Sequence, residues 1–283
     1  ISNLLEDSFV NKEETPMGTA GSVRLLSSKL KETFIVGSGD SVLSCDLTKL
    51  IDAHKSSNAK VTMALWEVEN PSEFGIVGLS DSIGGDLDRN LEQGFVTKFQ
   101  EKPELEEAFS NVINAGLYIL EPEVLTLIPE GEKFDFSKQL FPLLLEKGWP
   151  IYGKKIDGVW FDVGVPNELI RAQQVLVDQR DNLPFPMPDG IITDGNGFEF
   201  STSKSDGQNF GSVLSANVSV AKDTVLSNSL VMARGKIGFN CVIDGSVLGY
   251  GVIVEDDCKI KNSIIGDNVI IPKGTLLEHE KVI

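Results

Sequence analysis

Two aspartates that end short apolar runs are the side chains of this chain best suited to bind a metal ion. Asp40 ends "FIVGSGD" and Asp162 ends "WFD", and glycines close to each aspartate allow a ligand to approach the backbone. Because ligands bind beyond the carboxyl ends of the strands in a parallel sheet, the two carboxylates are expected to share one site. Mg²⁺ prefers a few carboxylates together with substrate phosphates, so the pair predicts a magnesium site. The alternative is that Asp40 caps a turn and Asp162 caps the helix that follows Pro166.

Two further strands carry polar groups that suit a phosphorylated sugar. "FQEKP" places Glu101 beside Lys102, where the lysine suits phosphate charge and the glutamate suits sugar hydroxyls. The alternative for this pair is a solvated turn. "INAGLY" places Asn114 and Gly116 inside an apolar strand, where a glycine often marks close approach of a ligand. A weaker signal is the Gly-rich turn "PMGTAGS" (16–22), which precedes a helical segment.

Neither histidine predicts catalysis. His54 lies on the apolar face of a predicted helix, which favours a core or boundary position, and His279 lies near the end of the printed sequence. No Ser-His-Asp arrangement can be assembled, so nucleophilic hydrolysis has no support.

The elements that must position these residues alternate between strands and helices as far as about residue 180. "TFIVGSG" (33–39) and "KVTMALWEV" (60–68) are rich in β-branched and aromatic residues and predict strands. The helical spacing between them, with Asp46 as its N-cap, completes a parallel β-α-β unit. Further strands are predicted at "GFVTKFQEKP" and "VINAGLYIL", and further helices at "FDFSKQLFPLLLEKG" and "VPNELIRAQQVLVDQR".

The last part of the chain has a regular aliphatic period. Gaps of 6, 6 and 5 residues repeat, which predicts a parallel β-helix in which each short strand turns one aliphatic side chain inward. A β-sandwich would show a period of two instead. Cys241 and Cys258 are one coil apart and are expected to stack in the core rather than bind a metal. The inward positions are Leu214, Val220, Leu226, Val231, Ile237, Ile243, Leu248, Val254, Ile260, Ile265, Ile271 and Leu277.

Composition limits the partners and the compartment. The chain has a net charge of -17, which argues against a nucleic-acid surface or an anionic membrane as partner. No apolar run approaches the ~18 residues of a membrane span. The 3 cysteines include no C-x-x-C, which favours a reducing cytoplasm. We expect domains at residues 1–180 and 212–283, with a connector at 181–211 that holds one short extended piece.

The order of the motifs resembles that of the sugar-1-phosphate nucleotidylyltransferases, of the mannose-1-phosphate guanylyltransferase or glucose-1-phosphate nucleotidylyltransferase type. The matching segments are "MGTAG", "FIVGSGD", "FGIV", "FQEKP", "INAGLYIL" and "WFDVGVP", followed by hexapeptides. The resemblance implies an α/β fold: a Rossmann-like nucleotidyltransferase domain, here without its first β-α unit, followed by a left-handed parallel β-helix. It also implies that a sugar-1-phosphate attacks the α-phosphate of a nucleoside triphosphate.

The resemblance further implies a role for each matching position. Catalysis would depend on the Mg²⁺ ligands Asp40 and Asp162 and on Lys102, which would neutralise the sugar phosphate. The other positions would contact the substrates: Gly18, Thr19 and Ala20 the nucleobase, Gly75 the sugar, Glu101 the sugar hydroxyls, and Asn114 and Gly116 the wall of the sugar pocket.

One departure from the family pattern stands out. The family begins with a strand and G-G-x-G-T-R-L, which cradles the triphosphate, and nothing in residues 1–15 matches it. Because Ile1 is not a natural start, we favour a truncated sequence over a natural loss, and we expect the chain as printed to be catalytically poor. The alternative is a non-catalytic regulatory or assembly subunit of the same fold that binds a nucleotide sugar.

The motifs leave the sugar and the base of the substrates open. The expected substrate pairs are GTP with mannose-1-phosphate, or UTP or dTTP with glucose-1-phosphate. An acyltransferase is disfavoured, because such enzymes usually need a histidine between coils and none lies between Ser212 and Leu277. An open end of the β-helix favours pairing with another chain, so a homo-oligomer is predicted.

Overall fold

The computed structural model describes residues 9–183 and 186–283 and contains two compact units. Unit 1 comprises the described residues up to Gly39 together with Cys45–Asp157, and unit 2 comprises Asp40–Ser44 together with Gly158–Ile283. These are units of packing. The domain boundaries at residues 180 and 211 stay a prediction.

The described residues contain four α-helices and 25 strands. The helices are α1 (Gly18–Arg24), α2 (Leu47–Ser57), α3 (Phe141–Glu146) and α4 (Pro166–Asp178). The first eight strands are β1 (Phe34–Gly37), β2 (Ser41–Leu43), β3 (Val61–Glu67), β4 (Gly75–Ser80), β5 (Gln93–Glu101), β6 (Val112–Leu120), β7 (Ile151–Lys155) and β8 (Trp160–Asp162). The next eight are β9 (Gly190–Ile192), β10 (Phe198–Phe200), β11 (Lys204–Ser205), β12 (Gln208–Phe210), β13 (Val213–Leu214), β14 (Ser219–Val220), β15 (Val225–Ser227) and β16 (Leu230–Val231). The last nine are β17 (Lys236–Ile237), β18 (Val242–Asp244), β19 (Val247–Leu248), β20 (Ile253–Val254), β21 (Lys259–Lys261), β22 (Ile264–Ile265), β23 (Ile270–Ile271), β24 (Leu276–Glu278) and β25 (Lys281–Val282).

Unit 1 is built on a mixed six-stranded sheet with the order β1-β6-β3-β7-β5-β4. Both β1 and β3 run antiparallel to β6, so they are parallel to each other, as the β-α-β pattern predicts. They are not neighbours, however, because β6 lies between them. A strand that enters from about 50 residues further along the chain leaves no signal in the local pattern.

Local signals fix both ends of α2. The Asp46 carboxylate accepts hydrogen bonds from the N–H groups of Thr48 and Lys49, which confirms the predicted N-cap of α2. The helix ends at Asn58, whose φ of 51° is left-handed. The helix predicted from "FDFSKQLFPLLLEKG" begins with a π-helical turn at Phe136–Leu140 and continues as α3.

Aromatic and aliphatic side chains fill the core of unit 1. The rings of Phe99, Tyr118, Phe136 and Phe141 lie in contact, with ring centroids 5.2–5.7 Å apart. Tyr118 belongs to β6, so this aromatic group supports the strand that carries Asn114. Burying aromatic side chains gives a large apolar contribution and restricts the ring geometry.

Unit 2 contains the predicted parallel β-helix. Three parallel sheets wind through about five coils, and strands pair with strands 17 residues further on, as in Leu214–Val231 and Val231–Leu248. The predicted inward aliphatics are no more than 4% exposed, apart from the partly buried Leu277. Cys241 and Cys258 are fully buried in adjacent coils, as predicted.

The β-helix includes strands from the stretch that the sequence indicated was a connector. Strands β10, β11 and β12 pair in parallel with β13, β14 and β15, and β9 pairs antiparallel with β10. The expectation of one short extended piece was therefore wrong. The aliphatic period does not reach this coil, because its positions opposite Leu214 and Leu226 hold Glu199 and Asn209.

Helix α4 joins the β2–β8 pair to the β-helix inside unit 2. Its residues Ile170 and Val177 pack with Phe198 and Val213, and Gln174 donates to the carbonyl of Gly211. Pro166 is the first residue of α4, as predicted. Within the described residues, none of the helices has the length and apolar composition needed to cross a membrane.

Candidate functional site

The structure brings Asp40 and Asp162 onto neighbouring chain segments in unit 2. Strands β2 and β8 pair antiparallel, with Ser41 opposite Asp162, and the N–H of Val163 donates to the carbonyl of Asp40 at 2.9 Å. The sequence predicted that the two aspartates meet at the edge of one parallel sheet. Instead, β2 and β8 form a separate two-stranded antiparallel sheet. Asp40 lies in a turn just before β2, so the alternation of the strand does not fix the direction of its side chain.

The Asp162 side chain organises a turn and does not cap α4. Its Oδ1 accepts a hydrogen bond from the N–H of Gly164 at 3.0 Å, whereas the N-cap position of α4 is Val165, which has no side-chain cap. The alternative of a helix-capping Asp162 is therefore wrong. Both Asp40 and Asp162 are exposed.

The donor set at these two aspartates suits a cation that takes its other ligands from substrate. Mg²⁺ is usually bound through one or two carboxylates, with phosphates and water completing its octahedron. No group of three or more His, Cys, Asp or Glu side chains in the described part of the chain could hold a metal ion. Two exposed carboxylates therefore fit a substrate-completed site better than a closed protein cage.

In unit 1, the Gly18–Ala20 residues form the first turn of α1 rather than a turn that precedes it. Gly18 has a φ of +74°, and a Cβ atom there would lie 2.6 Å from the carbonyl oxygen of Phe134. The N–H groups of Ala20 and Gly21 donate to that same oxygen at 3.0 and 2.9 Å. A glycine is required because both the conformation and the close approach exclude a side chain.

Gly75 and Glu101 face each other across β4 and β5. They are register partners, and a Cβ at Gly75 would lie 2.7 Å from Oε2 of Glu101 and 2.6 Å from the Phe99 ring. The missing side chain at Gly75 therefore makes the space in which the Glu101 carboxylate lies.

Lys102 turns the chain sharply after β5. Its φ of 44° is left-handed, and its N–H donates to the carbonyl of Phe74 at 2.9 Å. Its side chain is exposed, with Nζ 4.0 Å from a carboxylate oxygen of Glu73. A left-handed lysine is uncommon and costs about 1–2 kcal/mol, and such strain concentrates at functional sites.

Asn114 and Gly116 form an irregularity in β6. The pairing between β3 and β6 shifts register there, Gly116 has a φ of +78°, and its N–H donates to Oδ1 of Asn114 at 3.0 Å. The Asn114 amide donates to the hydroxyl of Tyr118 at 2.8 Å. Bulges of this kind redirect side chains and occur often beside active sites.

The Phe134–Lys138 segment joins these groups, although no functional role was predicted for it. The Thr19 hydroxyl donates to Asp135 at 2.9 Å, and the Asn114 amide contacts the Ser137 hydroxyl at 3.4 Å. The segment therefore touches both the Gly18–Ala20 turn and the predicted sugar-contacting residues. Its only sequence signal is the N-cap pattern of a helix, which does not distinguish a structural aspartate from a functional one.

Two carboxylates and two lysines set the electrostatics of this cluster. Burial raises the pKa of the Glu101 carboxyl, and the charge of Asp135 adds to the rise. Lys102, Lys138 and a hydrogen bond from Ser137 act in the opposite direction on that pKa. Such a mixture of acceptors and cations suits a ligand that carries both hydroxyls and phosphate.

Tyr118 and His54 are buried titratable groups that bond to neighbouring side chains. Burial raises the pKa of the Tyr118 phenol far above its usual value, so it stays neutral as a partner of Asn114. His54 is 3% exposed and bonds Thr62 and Glu121, which confirms its predicted core position.

Comparison with known proteins gives two family matches and a set of curated relatives. The nucleotidyl transferase family model matches residues 6–179, and the GlmU-like C-terminal hexapeptide model matches residues 196–281. A UTP–glucose-1-phosphate uridylyltransferase of Synechocystis is 30% identical over 260 residues, covering 89% of this chain and 62% of the relative. A mannose-1-phosphate guanylyltransferase of Mycobacterium tuberculosis is 31% identical over 257 residues, covering 88% and 61%.

A plant relative is matched over more of its length. The mannose-1-phosphate guanylyltransferase 1 of Arabidopsis thaliana is 28% identical over 290 residues, covering 96% of this chain and 76% of the relative. The chain thus spans about three fifths of the length of the two bacterial relatives.

Proposed function

Because the chain belongs to the nucleotidyl transferase family, whose model matches residues 6–179, we propose that it transfers a nucleotidyl group from a nucleoside triphosphate to a sugar-1-phosphate. The products are a nucleotide sugar and pyrophosphate. The names of the relatives, which all describe sugar-1-phosphate nucleotidyl transfer, support this reaction class.

The observation that carries the proposal is the pairing of β2 with β8. It places Asp40 and Asp162, which are far apart in the sequence, on adjacent segments of unit 2. Enzymes that transfer phosphoryl and nucleotidyl groups generally use a divalent metal ion. We assign Asp40 and Asp162 as its ligands and Mg²⁺ as the ion, which when bound would offset negative charge on the phosphates.

The reaction needs positioning more than acid–base catalysis. An oxygen of the sugar-1-phosphate forms a bond to the α-phosphorus of the triphosphate, and the bond to the pyrophosphate leaving group breaks. The attacking phosphate is already ionised, so no general base is required. In this proposal Lys102 neutralises the sugar phosphate. Glu101 accepts hydrogen bonds from sugar hydroxyls beside Gly75, and Asn114 bonds to sugar hydroxyls beside Gly116. The Gly18–Ala20 turn contacts the base.

The proposed substrate pairs are GTP with mannose-1-phosphate, and UTP or dTTP with glucose-1-phosphate. The relatives support this choice, since their names include both guanylyl and uridylyl transfer. A panel of nucleoside triphosphates and sugar phosphates, with pyrophosphate as the readout, identifies the pair. The panel is run on the chain and on a version extended by any coding sequence upstream of Ile1.

Substitution of the two aspartates tests the metal assignment. D40N and D162N should each lower Mg²⁺-dependent pyrophosphate formation by at least about 100-fold, because each removes a ligand charge from the phosphate site. D178N is the matched control, since Asp178 is an exposed carboxylate at the end of α4 in the same unit. Wild-type turnover by D40N would overturn the assignment of that residue.

A negative result with a specific signature would favour the alternative function. If neither version formed pyrophosphate while GDP-mannose or UDP-glucose still bound in a calorimetric titration, a nucleotide-sugar-binding subunit would replace the enzyme. Loss of both turnover and binding would reject both functions.

We also propose a homo-oligomer that forms through the β-helix. The supporting observation is that Phe239, Ile270 and Leu276 are 56%, 58% and 71% exposed on its surface, where a second copy of the chain would cover them. A monomeric mass by light scattering would contradict the proposal.

All three cysteines are free, which supports a reducing compartment such as the cytoplasm.

A further inference from the structure

We propose that Asp135 is a positioning residue that fixes the Gly18–Ala20 turn relative to the residues that contact the sugar. The inference rests on the proposed function, because that function assigns the turn to the nucleobase. Asp135 itself is not assigned a contact with substrate.

Both oxygens of the Asp135 carboxylate accept hydrogen bonds, and one of these bonds comes from Thr19, which is 116 residues away in the sequence. Its Oδ2 accepts a hydrogen bond from the Thr19 hydroxyl at 2.9 Å. Its Oδ1 accepts from the N–H groups of Ser137 and Lys138 at 3.1 and 3.3 Å. One side chain therefore caps its own helical turn and holds the first turn of α1.

The first turn of α1 has no cap of its own. The preceding residue, Met17, makes no side-chain cap, and the N–H groups of Ala20 and Gly21 donate instead to the carbonyl of Phe134. The Thr19 hydroxyl makes two hydrogen bonds to this segment, because its Oγ1 donates to Asp135 and also accepts a hydrogen bond from the N–H of Phe136 at 3.0 Å. The place of this turn is thus set by the Phe134–Lys138 segment.

The same segment is in contact with the sugar-contacting side of the cluster. Its Ser137 hydroxyl lies 3.4 Å from the Asn114 amide and forms a hydrogen bond with Glu101. Asp135 therefore lies between the turn that would hold the base and the residues that would hold the sugar. In-line transfer requires the two substrates to be aligned, and a misplacement of about 1 Å can lower a rate about 100-fold.

Capping alone does not explain an aspartate at this position. Asparagine caps helices about as well as aspartate does. The Thr19 contact is different, because Oγ1 already accepts a hydrogen bond from Phe136 and donates its own proton to Asp135. A carboxylate oxygen can only accept, so it orients the hydroxyl without competing for its lone pairs.

The test compares four variants of this contact with a control. T19V removes the hydroxyl at constant volume, T19S keeps it, D135A removes both carboxylate bonds, and T19V/D135A combines the losses. D88A is the control, because Asp88 is an exposed aspartate of unit 1 that likewise accepts from a backbone N–H two residues on.

The variants are expected to change the KM for the nucleoside triphosphate but not the KM for the sugar phosphate. D135A and T19V should each raise the KM for the nucleoside triphosphate about tenfold, weaken GDP-mannose or UDP-glucose binding similarly, and leave the KM for the sugar phosphate within about twofold. The double variant should be no worse than the worse single variant, because both remove one contact. D88A should behave as the wild type, and T19S, which keeps the hydroxyl, should lose less nucleotide affinity than T19V.

Three results would overturn the inference. The first is nucleotide affinity in D135A equal to that of the wild type, and the second is additive losses in the double variant. The third is an unchanged KM for the nucleoside triphosphate together with a lower unfolding temperature, which would indicate a purely structural aspartate. Failure of the wild-type chain to bind any nucleotide sugar would instead reject the proposed function, and this inference with it.

Discussion

At the scale of single residues, the chemistry of Glu101 depends on neighbours that lie far from it in the sequence. Gly75 makes the space for its carboxylate, and the strand end leaves it partly buried beside Asp135. Burial disfavours the charged form and the Asp135 carboxylate repels it, which is why the pKa of Glu101 is raised. Such a group is a good acceptor for hydroxyls but is costly to keep ionised.

The stability of E101Q relative to the wild type should therefore rise with pH. Because the folded pKa of Glu101 is raised, its contribution to stability is complete below the unfolded pKa of about 4.3 and is lost as pH rises through the folded pKa. The amide of E101Q does not titrate, so it escapes this loss. Urea unfolding at several values between about pH 4 and about pH 7 measures the difference.

The matched control is E130Q, which removes an exposed carboxylate from the same unit. A stability difference between E101Q and the wild type that fell or stayed constant with rising pH would contradict the prediction.

At the scale of elements, the first coil of the β-helix differs from the others in the chemistry of its interior. Where later coils place Leu214 and Leu226, this coil places Glu199 and Asn209, and both are buried. The Asn209 amide donates to Glu199 at 3.2 Å, and its carbonyl accepts from the buried N–H of Ser212 at 3.1 Å. A polar terminal coil of this kind caps an apolar solenoid core.

Truncation of Asn209 should destabilise unit 2 strongly for a small change in volume. N209A leaves the buried Ser212 N–H and the Glu199 carboxylate without this partner, at a cost of about 1–3 kcal/mol for each group. E199Q keeps an acceptor for Asn209 and should cost less than about 1 kcal/mol. Denaturant unfolding measures both, and equal losses for the two variants would show that the hydrogen bonds of Asn209 are unimportant.

At the scale of the whole molecule, the two compact units have separate hydrophobic cores. The core of unit 1 includes Leu144 and Phe141, and that of the β-helix includes Ile243 and Ile260, all fully buried. Each core is formed by side chains of one unit alone. Cavity costs are local because the surrounding side chains relax only partly.

A cavity in either core should therefore destabilise mainly the unit that contains it. L144A and I243A should each cost about 2–5 kcal/mol, and each should speed amide hydrogen exchange chiefly within the unit that contains it. I83A is the control, since Ile83 is 60% exposed and its truncation should cost less than about 0.5 kcal/mol. Mass spectrometry of exchanged peptides locates the effect, and equal acceleration in both units would mean that they unfold together.

The features predictable from the sequence are those that neighbouring residues specify. The aliphatic gaps of the β-helix repeat because every coil places a side chain in the same environment, so Leu214 to Ile271 could be assigned to the core from spacing alone. Asp46 as an N-cap, Pro166 at the start of α4 and the extent of β6 are likewise decided within one or two turns of chain.

The tertiary structure alone decided which distant segments meet. Strand β6 lies between β1 and β3, β2 pairs with β8, and Asp135 reaches Thr19, and none of these contacts leaves a trace in the local pattern. Each depends on the packing free energy of side chains that are many residues apart, which no short window of sequence contains. The candidate site is therefore recognisable by its motifs in the sequence, whereas the Phe134–Lys138 segment that joins its parts emerges only from the fold.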